Sequence, residues 1–465
     1  MATDQDRIRA MFGGGAQAPD KPAAPAAAPK GAEQEPPSKP PLTVGVRTRS
    51  RTLATIPTDY ETRHVLLLGT TGSGKSQAIY NLLKTIRARG EPALIMDHGG
   101  ETLQRFYRPG KDNIFNPFDK RSKKWGVFAE ARRSYDWAKI AKFIVQDGQG
   151  DAASWHGRAQ NLLANAMKQL AARGKMFQTT SALLEYLLRA ELYGKDDPTS
   201  LESLMVGTSS ERLFAPGSDR PLTSVLGIVS DALTAMEHLL LREKGENDGD
   251  FAMADWVKDP GDSWTFLSYT DASFAAIQPL FRILVASAIQ NVMELRPDSS
   301  RRFYFVLDEL ASLGRVPHFT DALAKFRKYG GCVIAGFQSI SQIEDDELYG
   351  VKGAQTLMSC FNTQVLLRTM DAATAEAQSL LVGAELLDEK SKSETQQQNG
   401  DSSIGTSTQK QERRTIMPRV FQDLADLRGY ALIGGTKGVQ EIEVPYANLQ
   451  PITVAEDTDD AIYNI

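Results

Sequence analysis

The run His64-Val65-Leu66-Leu67-Leu68 passes directly into Gly69-Thr70-Thr71-Gly72-Ser73-Gly74-Lys75-Ser76. This is the complete G-x-x-x-x-G-K-[ST] phosphate loop, and it demands a strand before it and a helix after it. The sequence supplies both. The apolar run is short enough for a buried strand, and Ala78, Ile79, Leu82, Leu83 and Ile86 follow at helical spacing from about Gln77. Glycines let the backbone curl its N–H groups around a polyphosphate, and the helix N-terminus adds positive potential. Lys75 is placed to reach the outer phosphates, and the Ser76 hydroxyl can complete a Mg²⁺ shell. A nucleoside triphosphate is the expected ligand, held by Gly69, Thr70, Thr71, Gly72, Ser73, Gly74, Lys75 and Ser76.

At 465 residues, 41% of them hydrophobic, the chain has room for two or three domains around a large core. Cys332 and Cys360 both lie in apolar, strand-like stretches and read as core thiols of a reducing compartment. The histidines at 64, 98, 156, 238 and 318 show no metal-ligand spacing, so no zinc site is expected. No secretory signal is present, and no uninterrupted apolar run approaches the roughly 18 residues of a membrane span. A formal charge of −5 excludes a uniformly basic coat, though not a basic channel within a balanced exterior.

Residues 1–42, rich in Ala and Pro, read as a flexible tail. After the phosphate loop, strands are expected at 93–96, 264–269, 303–307, 332–337, 364–368 and 430–433, several with helical patterns between them. That alternation predicts an α/β fold with a mainly parallel sheet covered on both faces. Residues 154–247 differ. Ala159, Leu162, Leu163, Ala166, Met167 and Leu170 keep helical spacing, as do Val225, Ile228, Val229, Leu233 and Met236, with no convincing strand between. We expect an all-α domain at 154–247 inserted into a nucleotide-binding domain made of residues 43–153 and 248–452. Residues 391–415 read as a mobile polar loop, and 453–465 as a loose acidic tail.

Phe303-Tyr304-Phe305-Val306-Leu307 delivers Asp308 and Glu309 at the C-terminal end of a strand, where open α/β sheets bind ligands. Asp308 is placed for the Mg²⁺ shell, and Glu309 to orient and polarise an attacking water. Lys75 and Asp308 lie 233 positions apart, far more than two or three strand–helix units need, which again implies an insertion. Downstream, residues 318–329 form a helical pattern whose apolar stripe is Phe319, Ala322, Leu323 and Phe326. Arg327 falls on its flank, either as a surface arginine or as one that reaches a neighbouring subunit's phosphates. Gln338 ends the next strand, either as a cap or as a sensor of the terminal phosphate.

Asp308-Glu309-Leu310-Ala311-Ser312-Leu313, Gly336-Phe337-Gln338-Ser339 and Tyr349-Gly350-Val351-Lys352-Gly353-Ala354-Gln355-Thr356 together resemble the type IV coupling proteins of conjugative DNA transfer, of the TraD/TrwB type. Asn116-Pro117-Phe118-Asp119 and Trp155-His156-Gly157-Arg158-Ala159-Gln160 fit the same family, and the resemblance covers about residues 44–450. It implies a RecA-like domain carrying an all-α domain, a homo-hexameric ring, and a DNA-dependent ATPase using ATP and Mg²⁺. It implies further that the protein links a relaxase–DNA substrate to the ATPases and inner-membrane components of a type IV secretion channel. Matched position by position, Lys75 and Ser76 become the phosphate and Mg²⁺ contacts and Asp308 and Glu309 the metal-shell and catalytic acids. Arg327 falls at the arginine-finger position and Gln338 at the sensor position. Family members usually begin with two membrane spans, whereas this chain begins with the Ala/Pro tail. The expected location is therefore cytoplasmic, with any contact to the inner membrane made through partners.

DNA contacts are the least determined. Arg121, Lys123 and Lys124 lie in the densest basic stretch that also carries an aromatic residue, and Arg47, Arg49 and Arg51 form a second candidate. A solvated basic loop explains either stretch as well. Two other functions fit the same chain: an FtsK-like DNA translocase, and a nucleotide-gated docking adaptor with little turnover.

Overall fold

The computed structural model describes residues 39–242, 251–346, 348–396 and 402–458. In chain order its strands are β1 (Leu42–Arg47), β2 (Leu53–Ile56), β3 (Val65–Leu68), β4 (Ala93–His98), β5 (Asn113–Phe115), β6 (Trp264–Tyr269), β7 (Phe303–Leu307), β8 (Gly331–Phe337), β9 (Thr363–Leu367), β10 (Ala384–Gln396), β11 (Ser402–Arg414), β12 (Arg428–Leu432) and β13 (Val439–Glu443). Eleven of them build one sheet in the order β2-β1-β13-β12-β9-β3-β8-β7-β4-β6-β5. From β9 to β5 every pairing is parallel, and from β9 to β2 every pairing is antiparallel. The fold is therefore α/β with a mainly parallel sheet, extended at one edge by short antiparallel strands.

The phosphate-loop strand lies inside the parallel part, between β8 and β9. All four of its residues are buried, because a parallel strand covered on both faces has no solvent side. Alternation then sorts them. Val65 and Leu67 join Ala93, Ile95, Tyr304 and Val306 under the helix Lys75–Ala88. Leu66 and Leu68 join Leu94, Met96, Phe303 and Phe305 on the opposite face.

Helices fill the chain between β5 and β6, and among the described residues no strand interrupts them. They start before residue 154, at Val127–Glu130 and Asp136–Ile144, and continue through Ala152–Ala172 and Asp219–Leu233. Their apolar faces share one core with the second sheet face through the helix Asp271–Glu294. The stretch Asp219–Leu241 and the helix Asp271–Glu294 are both long and apolar enough to cross a membrane by length and composition. Polar residues interrupt both, so neither is the uninterrupted apolar run that the sequence was expected to lack. In the structure Ile277, Leu280, Phe281 and Leu284 pack into the core, as do Leu222, Val225, Val229 and Leu233.

Four further expectations change. Composition predicts a mobile loop at 391–415, yet β10 and β11 form a regular antiparallel ribbon from Ala384↔Arg414 to Gln396↔Ser402, with 397–401 outside the described residues. Strand pairing uses backbone groups, so a sequence with few apolar side chains can still form a ladder. The tail expected at 1–42 is one residue too long, since Leu42 is buried as the first residue of β1; residues 1–38 lie outside the described residues. At the other end, 453–458 is bound rather than loose. Lys120 N donates to Asp457 O at 2.8 Å, Asp457 N to Asp119 Oδ2 at 3.2 Å, and Asn116 Nδ2 to Glu456 Oε1 at 2.7 Å. Residues 459–465 lie outside the described residues. Cys332 is a buried strand thiol as expected, whereas Cys360 caps the helix Gly350–Ser359 and is half-buried.

Candidate nucleotide site

The phosphate loop turns at Gly72 (φ 78°) and Gly74 (φ 111°), in the left-handed region that side chains rarely adopt. Its first turn of helix begins at Lys75, two residues earlier than the apolar spacing suggested. Gly69 N donates to Phe337 O at 3.1 Å and Thr70 N to Arg368 O at 2.9 Å, so β8 and β9 hold the loop from both sides. Lys75 Nζ donates to Gly69 O at 2.9 Å. Burial lowers the Lys75 pKa, and the negative charges of Asp308 and Glu309 pull it back up.

Asp308 and Glu309 follow β7, the neighbour of β8, as the sequence required. Burial raises both carboxyl pKa values; Lys75 opposes the shift in each, together with Ser76 at Asp308 and Gln338 at Glu309. Asp308 Oδ1 and Glu309 Oε1 are buried and have no hydrogen-bond partner among the described residues. A buried, unpaired carboxylate oxygen is costly, and a cation or a water bound there removes the cost. The two strands approach closely enough that a Cβ on Gly336 would lie 2.1 Å from Asp308 O. Only glycine fits there, and its neighbour Phe337 leads straight into Gln338.

Gln338 joins the two halves of the site. Its Nε2 donates to Glu309 Oε2 at 2.7 Å, and its Oε1 accepts from Thr71 Oγ1 at 3.4 Å. All these groups line one open cavity of about 530 Å³. Thr70, Thr71, Gly72, Gly74, Lys75, Ser76, Asp308, Glu309 and Gln338 reach its wall, whereas Gly69 and Ser73 support the loop from behind. The cavity fits a nucleotide with Mg²⁺: a glycine cradle, a lysine, a hydroxyl and two unpaired carboxylate oxygens converge on it.

Arg327 is exposed in the turn Phe326–Lys328 and does not line this cavity. Several wall residues carried no sequence signal. His98 Nε2 pairs with Asp271 Oδ1 at 2.7 Å, and Tyr269 stacks on Phe274 at 4.2 Å between ring centroids. Position at a strand end was the one clue to His98 and Tyr269; nothing marked Asp426, Leu427 or Tyr446.

A family model described as the type IV secretion-system coupling protein DNA-binding domain matches residues 50–445. The chain belongs to that family. Coupling protein TraD of Escherichia coli (strain K12) is 27% identical over 397 residues, which is 83% of this chain and 53% of TraD. The chain thus spans about half the length of that curated relative. Among solved structures, the unbound monoclinic form of the bacterial conjugative coupling protein TrwBdeltaN70 is 31% identical with a TM-score of 0.76, covering 90% of this chain and 92% of that one. The plasmid coupling protein TrwB in complex with ADP and Mg²⁺ is 30% identical with a TM-score of 0.75, covering 90% and 94%.

The family motifs outside the cavity serve as joints. Gln160 Nε2 donates to Val145 O and to Asp147 Oδ1, both at 3.0 Å, tying the helix Ala152–Ala172 to the end of the helix Asp136–Ile144. Asn116 and Asp119 hold the C-terminal strap, and Arg242 Nε reaches Pro117 O at 2.9 Å. Among the DNA candidates, Arg121 is already engaged. Its guanidinium bonds both Asp119 oxygens, Thr453 Oγ1, Val454 O and Ala455 O. Lys123 is exposed and Lys124 half-buried beside it.

Proposed function

We propose that this chain is a ring-forming, Mg²⁺–ATP-driven DNA translocase that couples relaxase–DNA substrates to a type IV secretion channel in conjugation. The observation that carries the reading is the pair of unpartnered carboxylate oxygens on Asp308 and Glu309, aimed with Lys75 and Ser76 into one cavity and linked to the phosphate loop by Gln338. Family membership supports the DNA side of the reading.

Ser76 and Asp308 would hold Mg²⁺, which supplies charge neutralisation at the phosphates when bound. Lys75 leaves Gly69 O to meet the outer phosphates. Glu309 orients the attacking water and takes up its proton, and the pKa raised by burial makes it a better base than an exposed carboxylate. Gln338 reports the state of the terminal phosphate by keeping or releasing Thr71 and Glu309. Arg327, exposed and off its own cavity, acts on the cavity of the neighbouring subunit in a homo-hexamer. The protein works on the cytoplasmic side and reaches the inner membrane through its partners.

Steady-state ATP hydrolysis, measured with and without single-stranded DNA across protein concentration, tests the reading. A motor with shared sites shows DNA stimulation and a cooperative dependence on protein. The shared site itself is tested by mixing Lys75→Ala with Arg327→Ala, each inactive alone. Mixed rings regain partial turnover, because some interfaces pair an intact Lys75 with an intact Arg327. Turnover indifferent to DNA and to concentration, with no recovery on mixing, overturns the motor in favour of a docking adaptor.

A further inference from the structure

One end of the nucleotide cavity lies beyond the phosphate loop, and its construction is unusual. Gln77, Asn81 and Lys84 stand one turn apart on a single face of the helix Lys75–Ala88. All three bind the backbone of 445–447. Asn81 Nδ2 donates to Pro445 O at 2.8 Å, Ala447 N donates to Gln77 Oε1 at 3.0 Å, and Lys84 Nζ donates to Ala447 O at 3.3 Å. Both neighbours of Tyr446 are tied down in this way. Tyr446 itself stays 68% exposed, at the cavity wall. Singly exposed aromatic residues are ordinary; one whose flanking backbone is fixed to the phosphate-loop helix is a platform.

Leu427 stands at the same mouth. Its backbone is left-handed (φ 61°), a conformation that a leucine holds only when its surroundings enforce it. Leu427 N donates to Ser73 O at 3.0 Å, and Leu427 O accepts from Val444 N at 2.8 Å. The side chain lies against Gly74, where an added Cβ would meet Leu427 Cδ2 at 2.9 Å. Next to it, Asp426 pairs with Arg368 at 2.7 Å.

Charge gives the cavity a direction. The cationic and metal-holding groups, Lys75, Ser76, Asp308 and Glu309, gather toward β7, so the outer phosphates belong there. The nucleoside must then trail the other way. At that end Leu427 and Tyr446 offer apolar and aromatic surface, and Asp426 is taken up by Arg368.

We propose that Tyr446 is the stacking platform for the nucleobase, with Leu427 as the apolar wall behind it. The proposal rests on the reading of the cavity as a nucleotide site. Its test separates the base from the phosphates by measuring equilibrium binding of Mg²⁺–ATP and of Mg²⁺–tripolyphosphate by calorimetry on the full chain, wild type, Tyr446→Ala and Tyr446→Phe. A base stacked on an aromatic ring loses about tenfold in affinity when the ring is removed. The expected result is ATP binding about tenfold weaker in Tyr446→Ala and retained in Tyr446→Phe, with tripolyphosphate unchanged in both. Unchanged ATP affinity in Tyr446→Ala overturns the platform and leaves the phosphate site standing. An equal loss for ATP and tripolyphosphate also overturns it, assigning Tyr446 to propping the loop. Failure of the wild type to bind either ligand overturns the nucleotide site itself.

Discussion

Acid should loosen this protein at the buried side chain of His64. The residue sits in a left-handed turn (φ 65°) just before β3, almost fully buried. Its Nδ1 accepts from Val333 N at 3.1 Å, and its Nε2 bonds to Leu323 O at 2.9 Å. The ring is therefore neutral with its hydrogen on Nε2, and both nitrogens are used. Burial lowers its pKa from the usual 6.5 to about 4, the bond to Leu323 O opposing the shift. A folded-state pKa below the unfolded one means that the unfolded chain takes up the proton first. Stability is complete above pH 6.5, declines as the pH falls below that value, and reaches its full loss of about 3 kcal/mol below pH 4. Between pH 7.5 and pH 5 the share lost is about 2 kcal/mol. Urea-unfolding free energies of wild type and His64→Asn at these two pH values isolate the effect, since every other titrating group cancels in the comparison. Asparagine tolerates the left-handed backbone. The variant costs stability at pH 7.5, and its deficit should shrink by about 2 kcal/mol at pH 5. Deficits that are equal at the two pH values would refute the reasoning.

Three further outcomes follow from charge placement. Glu61 is buried and bonds Arg89, Arg302 and the Tyr304 hydroxyl. Glu61→Gln leaves Arg302 without its countercharge and Arg89 with Glu91 alone, and should cost about 3–5 kcal/mol in chemical denaturation. Arg121→Ala should lower the melting temperature by releasing the C-terminal strap, yet leave the salt dependence of DNA binding unchanged. Replacing Lys123 and Lys124 together by alanine should flatten the slope of log affinity for single-stranded DNA against log salt by about 1.4, read by fluorescence anisotropy.

Much of the site was legible because its chemistry is local. A phosphate loop must lie between strand and helix, so eight consecutive residues revealed both its ligand class and its flanks. Asp308 and Glu309 were found because an apolar strand ending in carboxylates places them at the ligand edge of a parallel sheet. The parallel strands were recognisable as unbroken apolar runs, since burial on both faces leaves no room for polar alternation. The antiparallel edge was not. β1, β2 and β13 alternate or expose their side chains, and the β10–β11 ribbon is held by backbone pairing that composition does not encode.

The sequence alone determined that β3 runs into a glycine-rich loop, that two acids follow β7, and that a helical segment lies between them. These are consequences of period, run length and residue type within short windows. Only the tertiary structure decided which distant groups share the cavity. Tyr446 lies 371 positions from Lys75 and shares its cavity wall because Asn81 and Gln77 hold residues 445 and 447. Arg121 looked free until the strap at 453–455 occupied its guanidinium. Such contacts depend on where the chain returns in space, and one local window carries no trace of that.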